Sequence, residues 1–293
     1  MRLVTYERDG ARRLGGLADE GVVDLPDLVG EPGFPATMEA LVEAGFDALD
    51  AARAGMERDR SEHAVPEARL LVPILPGSLR DFLAFEDHVK RGSERRGEAV
   101  PEAWYEMPTY YKGNHRSVYG PDQEIPWPPY TDELDFELEV GCVLGGRGRD
   151  LSEDEADRLI FGYTLMNDWS ARDIQRKEMS VRLGPAKGKD FATSLGPCIA
   201  TVDDLDMSSV RLTARVDGET WAEGRLADMH WSFEQMIAHV SRGEDVWPGD
   251  LYGSGTFGGG CGLDLGRFLW PGAEVELEAT GIGILRNRIG PKP

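Results

Sequence analysis

The sequence predicts an α+β protein that is mostly β, and three observations carry this prediction. Glycine is frequent, with 36 residues, and in the C-terminal part it separates short apolar runs of the kind that form strands. Val275, Leu277 and Ala279 alternate with Glu276 and Glu278, as expected of a strand with one buried face. The chain has 293 residues, of which 41% are hydrophobic, so it can bury a sizeable core.

The chain is predicted to divide into a small N-terminal α+β module, residues 1–72, and a larger domain, residues 73–293. Within the module, residues 3–6 and 21–25 are expected to form short strands. Residues 38–60 carry spaced apolar side chains among many charges, which indicates an amphipathic helix.

Two segments lead from the module into the larger domain. Residues 70–76 are apolar and punctuated by proline, which indicates a strand at the junction. Residues 91–107 are polar, charged and without clear periodicity, so they are expected to form a mobile loop. This loop is either an ordinary surface segment, which its composition favours, or a lid over a site.

The elements that follow alternate between helix and strand. Ser152 and Glu155 form a capping-box pattern, which predicts a helix that runs to about Ile160. Residues 161–166 predict a strand that delivers Asp168 at its end. A short helix is predicted at residues 171–179, and further strands are predicted at residues 209–216, 250–255, 274–279 and 281–289.

Charge and cysteine usage bear on partners and location. With 32 basic and 53 acidic residues, the formal net charge is −21, which disfavours nucleic acid and anionic membranes as partners. The first residues include no apolar signal-peptide core, and no apolar run approaches the ~18 residues of a membrane span. Three widely spaced cysteines, Cys142, Cys198 and Cys261, suit a reducing compartment, so a cytoplasmic location is expected.

Two glutamates one residue apart, Glu137 and Glu139, are the most informative local feature. In the run of residues 134–140, Asp135, Glu137 and Glu139 are expected on one face of a strand, with the apolar residues on the other. Three carboxylates on one face repel one another unless water or a cation lies among them. From the residues alone, a solvated face and a divalent-metal site both remain open.

In two further segments, polar side chains are spaced so that they would share one face of a helix. Asp81 and His88 are seven residues apart, which on a helix would put them on one face, two turns apart. Arg172 and Gln175 follow Asp168 and are expected on one face of the predicted short helix, at i, i+3 spacing. Taken singly, such residues are usually surface charges, so their meaning depends on whether they meet.

Residues 184–193 contain glycines and lysines in an order that invites comparison with a phosphate-binding P-loop. The spacing of the glycines is one residue too short, and Asp190 stands where Ser or Thr would have to bind Mg²⁺. The sequence therefore argues against a nucleotide site at this segment.

Together, these segments resemble the fumarylacetoacetate hydrolase family from about residue 70 to the end. The resemblance is most specific in Asn-Asp-Trp-Ser-Ala-Arg-Asp-Ile-Gln at residues 167–175, and it extends to Lys-Gly-Lys-Asp-Phe at residues 187–191. It implies a mixed β-sandwich roll around one divalent metal per chain, Mg²⁺ or else Mn²⁺ or Ca²⁺. It also implies that residues 73–293 form a metal-dependent catalytic domain and that the protein is a homodimer.

The resemblance assigns roles to the residues that match the family's motifs. It implies that the metal is held by Asp81, Glu137, Glu139 and Asp168, with Thr193 close to it. It implies catalytic roles for His88, which would activate water, and for Asp264, Arg172 and Lys189. It implies substrate contacts for Tyr111, Gln175 and Thr256.

Three positions depart from the family's pattern. Asp264 stands where the best-known hydrolases have a glutamate that orients the catalytic histidine. Arg91 stands where another branch of the family has a glutamate three residues after that histidine. Leu83 replaces a substrate-contacting tyrosine, a departure that bears on the identity of the substrate more than on the metal.

The activity that the resemblance implies is hydrolysis of a carbon–carbon bond in a small β-diketo acid, either an acylpyruvate or a fumarylacetoacetate-like compound. Such a step belongs to the breakdown of aromatic compounds. A hydratase, an isomerase or an oxo-acid decarboxylase on the same site is the alternative, because all of these stabilise an enolate. A third hypothesis, from another class, is a non-catalytic protein in which the acidic cluster binds metal structurally.

Overall fold

The computed structural model describes residues 1–19, 21–58 and 60–293. Within these ranges, strands outnumber helices, and most helices are short. The strands are β1 (Arg2–Arg8), β2 (Ala11–Ala18), β3 (Gly21–Asp24), β4 (Ala64–Val65), β5 (Ser78–Phe82), β6 (Tyr110–Lys112), β7 (Val118–Tyr119), β8 (Glu124–Ile125), β9 (Leu134–Asp135), β10 (Leu138–Leu144), β11 (Ile160–Asp168), β12 (Ser170–Ala171), β13 (Thr193–Thr201), β14 (Arg211–Val216), β15 (Glu219–Arg225), β16 (Asp250–Gly253), β17 (Glu274–Ala279) and β18 (Gly283–Ile289). The helices are α1 (Leu25–Val29), α2 (Met38–Ala44), α3 (Phe46–Met56), α4 (Glu86–Arg96), α5 (Ala103–Glu106), α6 (Glu153–Asp157), α7 (Arg172–Ser180), α8 (Phe233–Ser241) and α9 (Gly262–Leu265).

Two mixed sheets form the body of the protein. The larger sheet has 11 strands in the order β4-β3-β2-β1-β13-β11-β10-β16-β5-β6, with β7 paired to β13. The smaller sheet has five strands in the order β15-β14-β17-β18-β8, and β9 and β12 form a separate pair. Most neighbours are antiparallel, whereas β5 runs parallel to β16 and β8 parallel to β18. The predicted mostly β, α+β fold with two packed sheets is confirmed.

The large sheet is covered on both faces. Val140, Cys142 and Leu144 of β10 belong to the core that also contains Leu277 of the small sheet, whereas the intervening Val143 belongs to a second core, shared with the N-terminal helices. Because successive side chains of a strand point to opposite faces, this division places one sheet face against the small sheet and the other against helices. Every residue of β10 and β11 is consequently buried.

The N-terminal segment continues the large sheet. Strands β1 to β4 pair in order, and β1 pairs with β13. Instead of one helix over residues 38–60, two helices form, α2 and α3, because the chain turns at Gly45 with φ 80°. Asp59, within the range predicted to be helical, lies outside the described residues. The domain boundary near residue 72 stays a prediction.

Two predictions about the connecting segments were wrong. Residues 70–76 form a single bridge, between Leu70 and Tyr6, and no strand, because prolines interrupt the run. Residues 91–107 contain the C-terminal half of α4 and all of α5, where a loop was expected. Helix α4 ends at Gly97, whose φ of 69° provides the left-handed cap that favours glycine.

The other predicted elements are found with small shifts in their ends. The capping box of Ser152 and Glu155 is present, although α6 ends at Asp157 and Ile160 already belongs to β11. The C-terminal strands and the short helix α7 lie where they were expected. No helix among the described residues is both long and apolar enough to cross a membrane.

One glycine tests the close contact between β11 and β13. A Cβ atom at Gly162 would lie 2.3 Å from the carbonyl oxygen of Ala200, which is backbone and cannot rotate away. Gly162→Ala should therefore lower the free energy of unfolding by about 1–3 kcal/mol, measured by urea denaturation. Gly77→Ala is the control, since a Cβ there meets only Asp250 Oδ1 at 4.0 Å. Equal losses in the two variants would contradict this packing.

Candidate active site

Neighbouring strands of the large sheet bring four acidic side chains together. Strand β11 ends at Asp168, β10 contains Glu139, and β5 contains Asp81, with β16 lying between β10 and β5. Glu137 precedes β10, and its backbone N–H donates to the Asn167 side chain at 3.0 Å. One carboxylate oxygen from each of the four acids lies within 4.8 Å of one from every other. The predicted set of metal ligands therefore meets at one point, although its assignment as metal ligands stays a prediction.

The helix face expected to join Asp81 and His88 does not exist. Asp81 belongs to strand β5 and His88 to helix α4, with a bend between the two elements. The run of residues 134–140 is also divided, because the chain leaves the ladder between β9 and β10. Glu137 forms an isolated bridge to Cys261 at this break. The carboxylates thus meet through the packing of separate strands.

The acidic cluster has the properties of a cation site. All four carboxylates are buried, and Glu139 and Asp168 are completely inaccessible to solvent. Asp81 Oδ1, Glu139 Oε1 and Asp168 Oδ1 have no hydrogen-bond partner within the described residues. A buried acceptor without a partner costs about 1–3 kcal/mol, and several carboxylate oxygens around one point are the ligands that Mg²⁺ and Ca²⁺ use. The residues present therefore fit a divalent metal.

A glycine in β16 leaves room for this cluster. A Cβ atom at Gly253 would lie 2.6 Å from Asp81 Oδ1 and 2.9 Å from Glu139 Oε2. Only a residue without a side chain can therefore occupy this position between β10 and β5. The sheet approaches the carboxylates with bare backbone, which keeps the space around their oxygens free.

Burial and mutual repulsion set the protonation of the cluster. Burial, followed by the charge of Asp168, raises the pKa of Asp81 well above its usual value. Burial, followed by the charge of Asp81, does the same to the pKa of Glu139. Burial also raises the pKa of Asp168. Glu137 is the exception, because Arg172 and Lys189 overcome the effect of burial and lower its pKa.

Two buried cations accompany the acids. Lys189 Nζ donates to Glu137 Oε2 and to Asp168 Oδ2, at 2.5 Å in each case. Arg172 Nη2 donates to Glu137 Oε1 at 2.8 Å, and its Nε donates to Asp135 Oδ2 at 2.7 Å. Burial alone would lower the pKa of Lys189, but the carboxylates of Asp168 and Glu137 outweigh it and raise the pKa. Both side chains are therefore fixed as cations.

A histidine and an aspartate form a pair beside the cluster. His88 Nδ1 lies 2.9 Å from Asp264 Oδ2, and Arg95 Nη1 donates to Asp264 Oδ1 at 2.6 Å. Burial opposes ionisation of Asp264, yet the hydrogen bonds from His88, Gly259 and Arg95 lower its pKa to about 2. Cys261, whose Sγ lies within 4.8 Å of ligand atoms of His88 and Asp264, forms a backbone bridge with Glu137, so the pair adjoins the acidic cluster.

Asp264, although its side chain is shorter than that of the glutamate it replaces, is thus able to reach His88. One of its carboxylate oxygens also lies within 4.8 Å of Cys261 Sγ. This His-Cys-Asp group differs from the acidic cluster in its hydrogen bonding. Both oxygens of Asp264 already accept hydrogen bonds, from His88, Arg95 and the Gly259 N–H. A carboxylate whose two oxygens both have hydrogen-bond partners is better suited to orient a histidine than to bind a cation.

The predicted substrate-binding residues surround the same region. The Tyr111 hydroxyl donates to Asp168 Oδ2 at 2.7 Å, and Gln175 Oε1 accepts from Arg172 Nη1 at 3.0 Å. Thr256 Oγ1 donates to the Leu138 carbonyl oxygen at 2.9 Å, which occupies its proton. Thr193 pairs with Asp168 across β11 and β13 and is buried. Their roles toward a substrate or a metal stay predictions.

Sequence reasoning missed two residues of this region. Arg95 lies seven residues after His88 on α4, a spacing that shares a helix face, but residues 91–107 were expected to be a loop. Asp135 was expected on the face of Glu137, yet its bonds to Arg172 and to α9 could not be foreseen.

A cleft of about 770 Å³ near Leu70 and Tyr119 is lined by none of the site residues described above, so cavity size does not locate the site.

Comparison with known proteins identifies the family. Residues 78–290 match the family described as Fumarylacetoacetate (FAA) hydrolase C-terminal, which is most of the chain. The protein therefore belongs to the fumarylacetoacetate hydrolase family and is an enzyme of that family. The resemblance predicted from residues 81–191 is confirmed.

Relatives within the family differ in the reactions that their names state. Fumarylacetoacetase of Arabidopsis thaliana is 31% identical over 280 residues, in a match that covers 76% of this chain and 66% of that protein, just under two thirds of its length. A mitochondrial oxaloacetate tautomerase of Homo sapiens is 28% identical over 285 residues, with 92% of this chain and 84% of that protein covered. A solved fumarylacetoacetate hydrolase of Exiguobacterium antarcticum superposes with a TM-score of 0.80 at 26% identity, over 100% of both chains.

Metal binding to the cluster should depend on pH. Burial raises the pKa values of Asp81, Glu139 and Asp168, so protons compete more strongly with a metal ion for these carboxylates than for exposed ones. We therefore expect Mg²⁺ or Mn²⁺ affinity to strengthen from about pH 6 to about pH 8, with release of protons. Calorimetric titration in two buffers of different ionisation enthalpy measures both the metal affinity and the release of protons. Equal affinity at the two pH values without proton release would contradict this account, and Glu139→Gln should weaken binding.

Proposed function

We propose that this enzyme is a divalent-metal-dependent hydrolase that cleaves a carbon–carbon bond in a small β-diketo acid, such as an acylpyruvate or a fumarylacetoacetate-like compound. The observation that carries the proposal is the hydrogen bond of 2.9 Å between His88 and Asp264, beside the buried acidic cluster. A Mg²⁺, Mn²⁺ or Ca²⁺ ion held by Asp81, Glu137, Glu139 and Asp168 would supply Lewis-acid polarisation of substrate oxygens. The homodimer stays part of this proposal.

His88 is arranged to accept a proton from water. Its Nδ1 faces Asp264, so Nε2 is the ring atom left for proton transfer. Asp264 stays ionised because its pKa is about 2, and its negative charge stabilises the imidazolium that forms. General-base assistance of this kind contributes roughly 10²–10⁴-fold to a rate.

Two side chains have hydrogen-bond donors left for a substrate oxygen. An ammonium group has three N–H donors, and Lys189 uses two of them, on Glu137 and Asp168. Gln175 accepts from Arg172 through its carbonyl oxygen, which leaves its amide N–H₂ group free to donate. Donors directed at a developing oxyanion stabilise the transition state by roughly 3 kcal/mol each.

These roles give a balanced hydrolysis. The water oxygen bonds to the carbonyl carbon of the substrate while its proton passes to His88. The tetrahedral adduct then collapses, the carbon–carbon bond breaks, and its electron pair stays on the departing carbon. That carbon receives the proton from His88, so the products are a carboxylic acid and a 2-oxo acid from an acylpyruvate, or a carboxylic acid and a 3-oxo acid from a fumarylacetoacetate-like compound.

A tautomerase, or another isomerase, is the second candidate. The human oxaloacetate tautomerase resembles the chain over more of its length than the plant fumarylacetoacetase does. The same histidine would then move a proton between carbon and oxygen, and no water would be consumed. A hydratase or an oxo-acid decarboxylase would use the same hydrogen-bond donors and acidic residues. A purely structural metal site would not need the His88–Asp264 pair.

The proposal is tested by a panel of acylpyruvates, fumarylacetoacetate and oxaloacetate, assayed with Mg²⁺ in ¹⁸O-labelled water. We expect cleavage of at least one diketo acid with one ¹⁸O atom in the new carboxylate. His88→Ala should lower the rate by roughly 10²–10⁴-fold while the calorimetric metal affinity is unchanged. His63→Ala, in the N-terminal 3₁₀ turn Ser61–His63, is the control and should keep the full rate.

Three outcomes would count against hydrolysis. Full activity of the His88→Ala variant on the true substrate would remove water activation from the mechanism. Deuterium exchange into oxaloacetate without cleavage of any diketo acid would favour the tautomerase. Absence of any turnover, with metal bound and stability lost on its removal, would favour a structural site.

A further inference from the structure

One buried carboxylate close to the site takes no part in the proposed reaction. Asp135 is completely inaccessible to solvent and lies between the acidic cluster and helix α9. Unlike Asp81, Glu139 and Asp168, it has no oxygen left without a partner among the described residues. Its four donors are the N–H of Phe136 at 2.8 Å, Arg172 Nε at 2.7 Å, the N–H of Gly262 at 2.7 Å and the N–H of Leu263 at 2.9 Å.

On one side, Asp135 sets the direction of Arg172. The guanidinium group is held by Asp135 through Nε and by Glu137 through Nη2, so both its position and its plane are determined. Its remaining nitrogen, Nη1, donates to Gln175 at 3.0 Å. A planar, always charged group held in this way has little freedom to rotate. Loss of Asp135 would therefore disturb a metal-ligand candidate and a substrate-contact candidate together.

On the other side, Asp135 holds the start of the helix that carries Asp264. No side chain caps α9 from its own N-cap residue, Cys261, so the first N–H groups of the helix depend on Asp135. The approach is close, because a Cβ atom at Gly262 would lie 2.5 Å from Asp135 Oδ1 and 2.2 Å from the Arg267 carbonyl oxygen. Asp264 is two residues from Gly262, so its position relative to the acidic cluster follows from these bonds.

We propose that Asp135 is a positioning residue that fixes the distance between the His88–Asp264 pair and the acidic cluster. The inference rests on the proposed function, because it requires that the pair take part in the reaction. Asn at this position would present an N–H₂ group to one set of donors, whichever way the amide faced. The start of α9 would lose one of its two bonds in either orientation, because Gly262 donates to Oδ1 and Leu263 to Oδ2. Arg172 would lose its bond when the N–H₂ group replaces Oδ2.

The first test compares two buried aspartates of similar chemistry. Asp135→Asn should lower kcat by roughly 10–100-fold with little change in KM, as loss of a supporting hydrogen bond does at metal sites. Asp24→Asn is the matched control, since Asp24 is also buried, binds Arg13 and caps a helix through the Asp27 N–H, but lies in the N-terminal segment. The control should lose stability in urea and keep kcat. An equal fall of kcat in both variants would overturn the proposal.

A double-mutant cycle separates positioning from general destabilisation. If Asp135 acts in part through Asp264, the losses in Asp135→Asn and Asp264→Asn cannot multiply. We expect the double variant to be at least about fivefold more active than the product of the two losses predicts. Multiplicative losses would overturn the positioning role while leaving the proposed function intact. If Asp264→Asn alone keeps the full rate, the catalytic role of the His88–Asp264 pair is contradicted, and the positioning role of Asp135 is contradicted with it.

A milder variant guards against loss of folding in Asp135→Asn. Leu263→Pro removes one of the four N–H donors and leaves the carboxylate in place. Proline is tolerated in the first turn of a helix. We expect kcat to fall by roughly 3–10-fold with unchanged Mg²⁺ affinity, because only the α9 side of Asp135 is affected. An unchanged kcat in a folded variant would overturn the proposal.

Discussion

The burial of four carboxylates around one point is the constraint on which the rest of the site depends. A charged group taken out of water is costly unless it is paired, and here the charges also repel one another. Lys189 and Arg172 compensate Glu137 and part of Asp168. Among the described residues, Asp81 and Glu139 form no ion pair, and burial, followed by the neighbouring negative charges, raises their pKa values. A divalent cation held by these carboxylates would remove the remaining imbalance and stabilise the arrangement.

The fold makes this burial possible because the large sheet is covered on both faces. Strands β10 and β11 are buried along their whole length, and their ends deliver acids into a region from which water is excluded. The lack of a side chain at Gly253 opens the space between them. Helix α9 carries Asp264 toward His88, and Asp135 connects the start of that helix to the acidic strands. A few buried polar contacts thus connect the side chains of the site to the strands and helix that position them.

Local sequence predicted the contents of the site better than its geometry. The strings of residues around Glu137, Asp168 and Lys189 are contiguous, so they identified the family, the fold and the acids that meet. The strand that carries Asp81 could not be predicted from local sequence, because the pairing of β5 with β16 joins residues far apart in the chain. Helix α4 was missed because it buries only Val89 and Ser93 and shows no apolar stripe. Contacts such as those of Asp135 arise only from tertiary packing.

The most direct measurement of the central claim is anomalous diffraction from crystals equilibrated with Mn²⁺. The account predicts one strong peak enclosed by the carboxylates of Asp81, Glu137, Glu139 and Asp168, at metal–oxygen distances of roughly 2.0–2.6 Å. Substitution of Glu139 by Gln should weaken that peak and leave the fold unchanged. A peak confined to the group of His88, Cys261 and Asp264, or no peak at saturating Mn²⁺, would contradict the account.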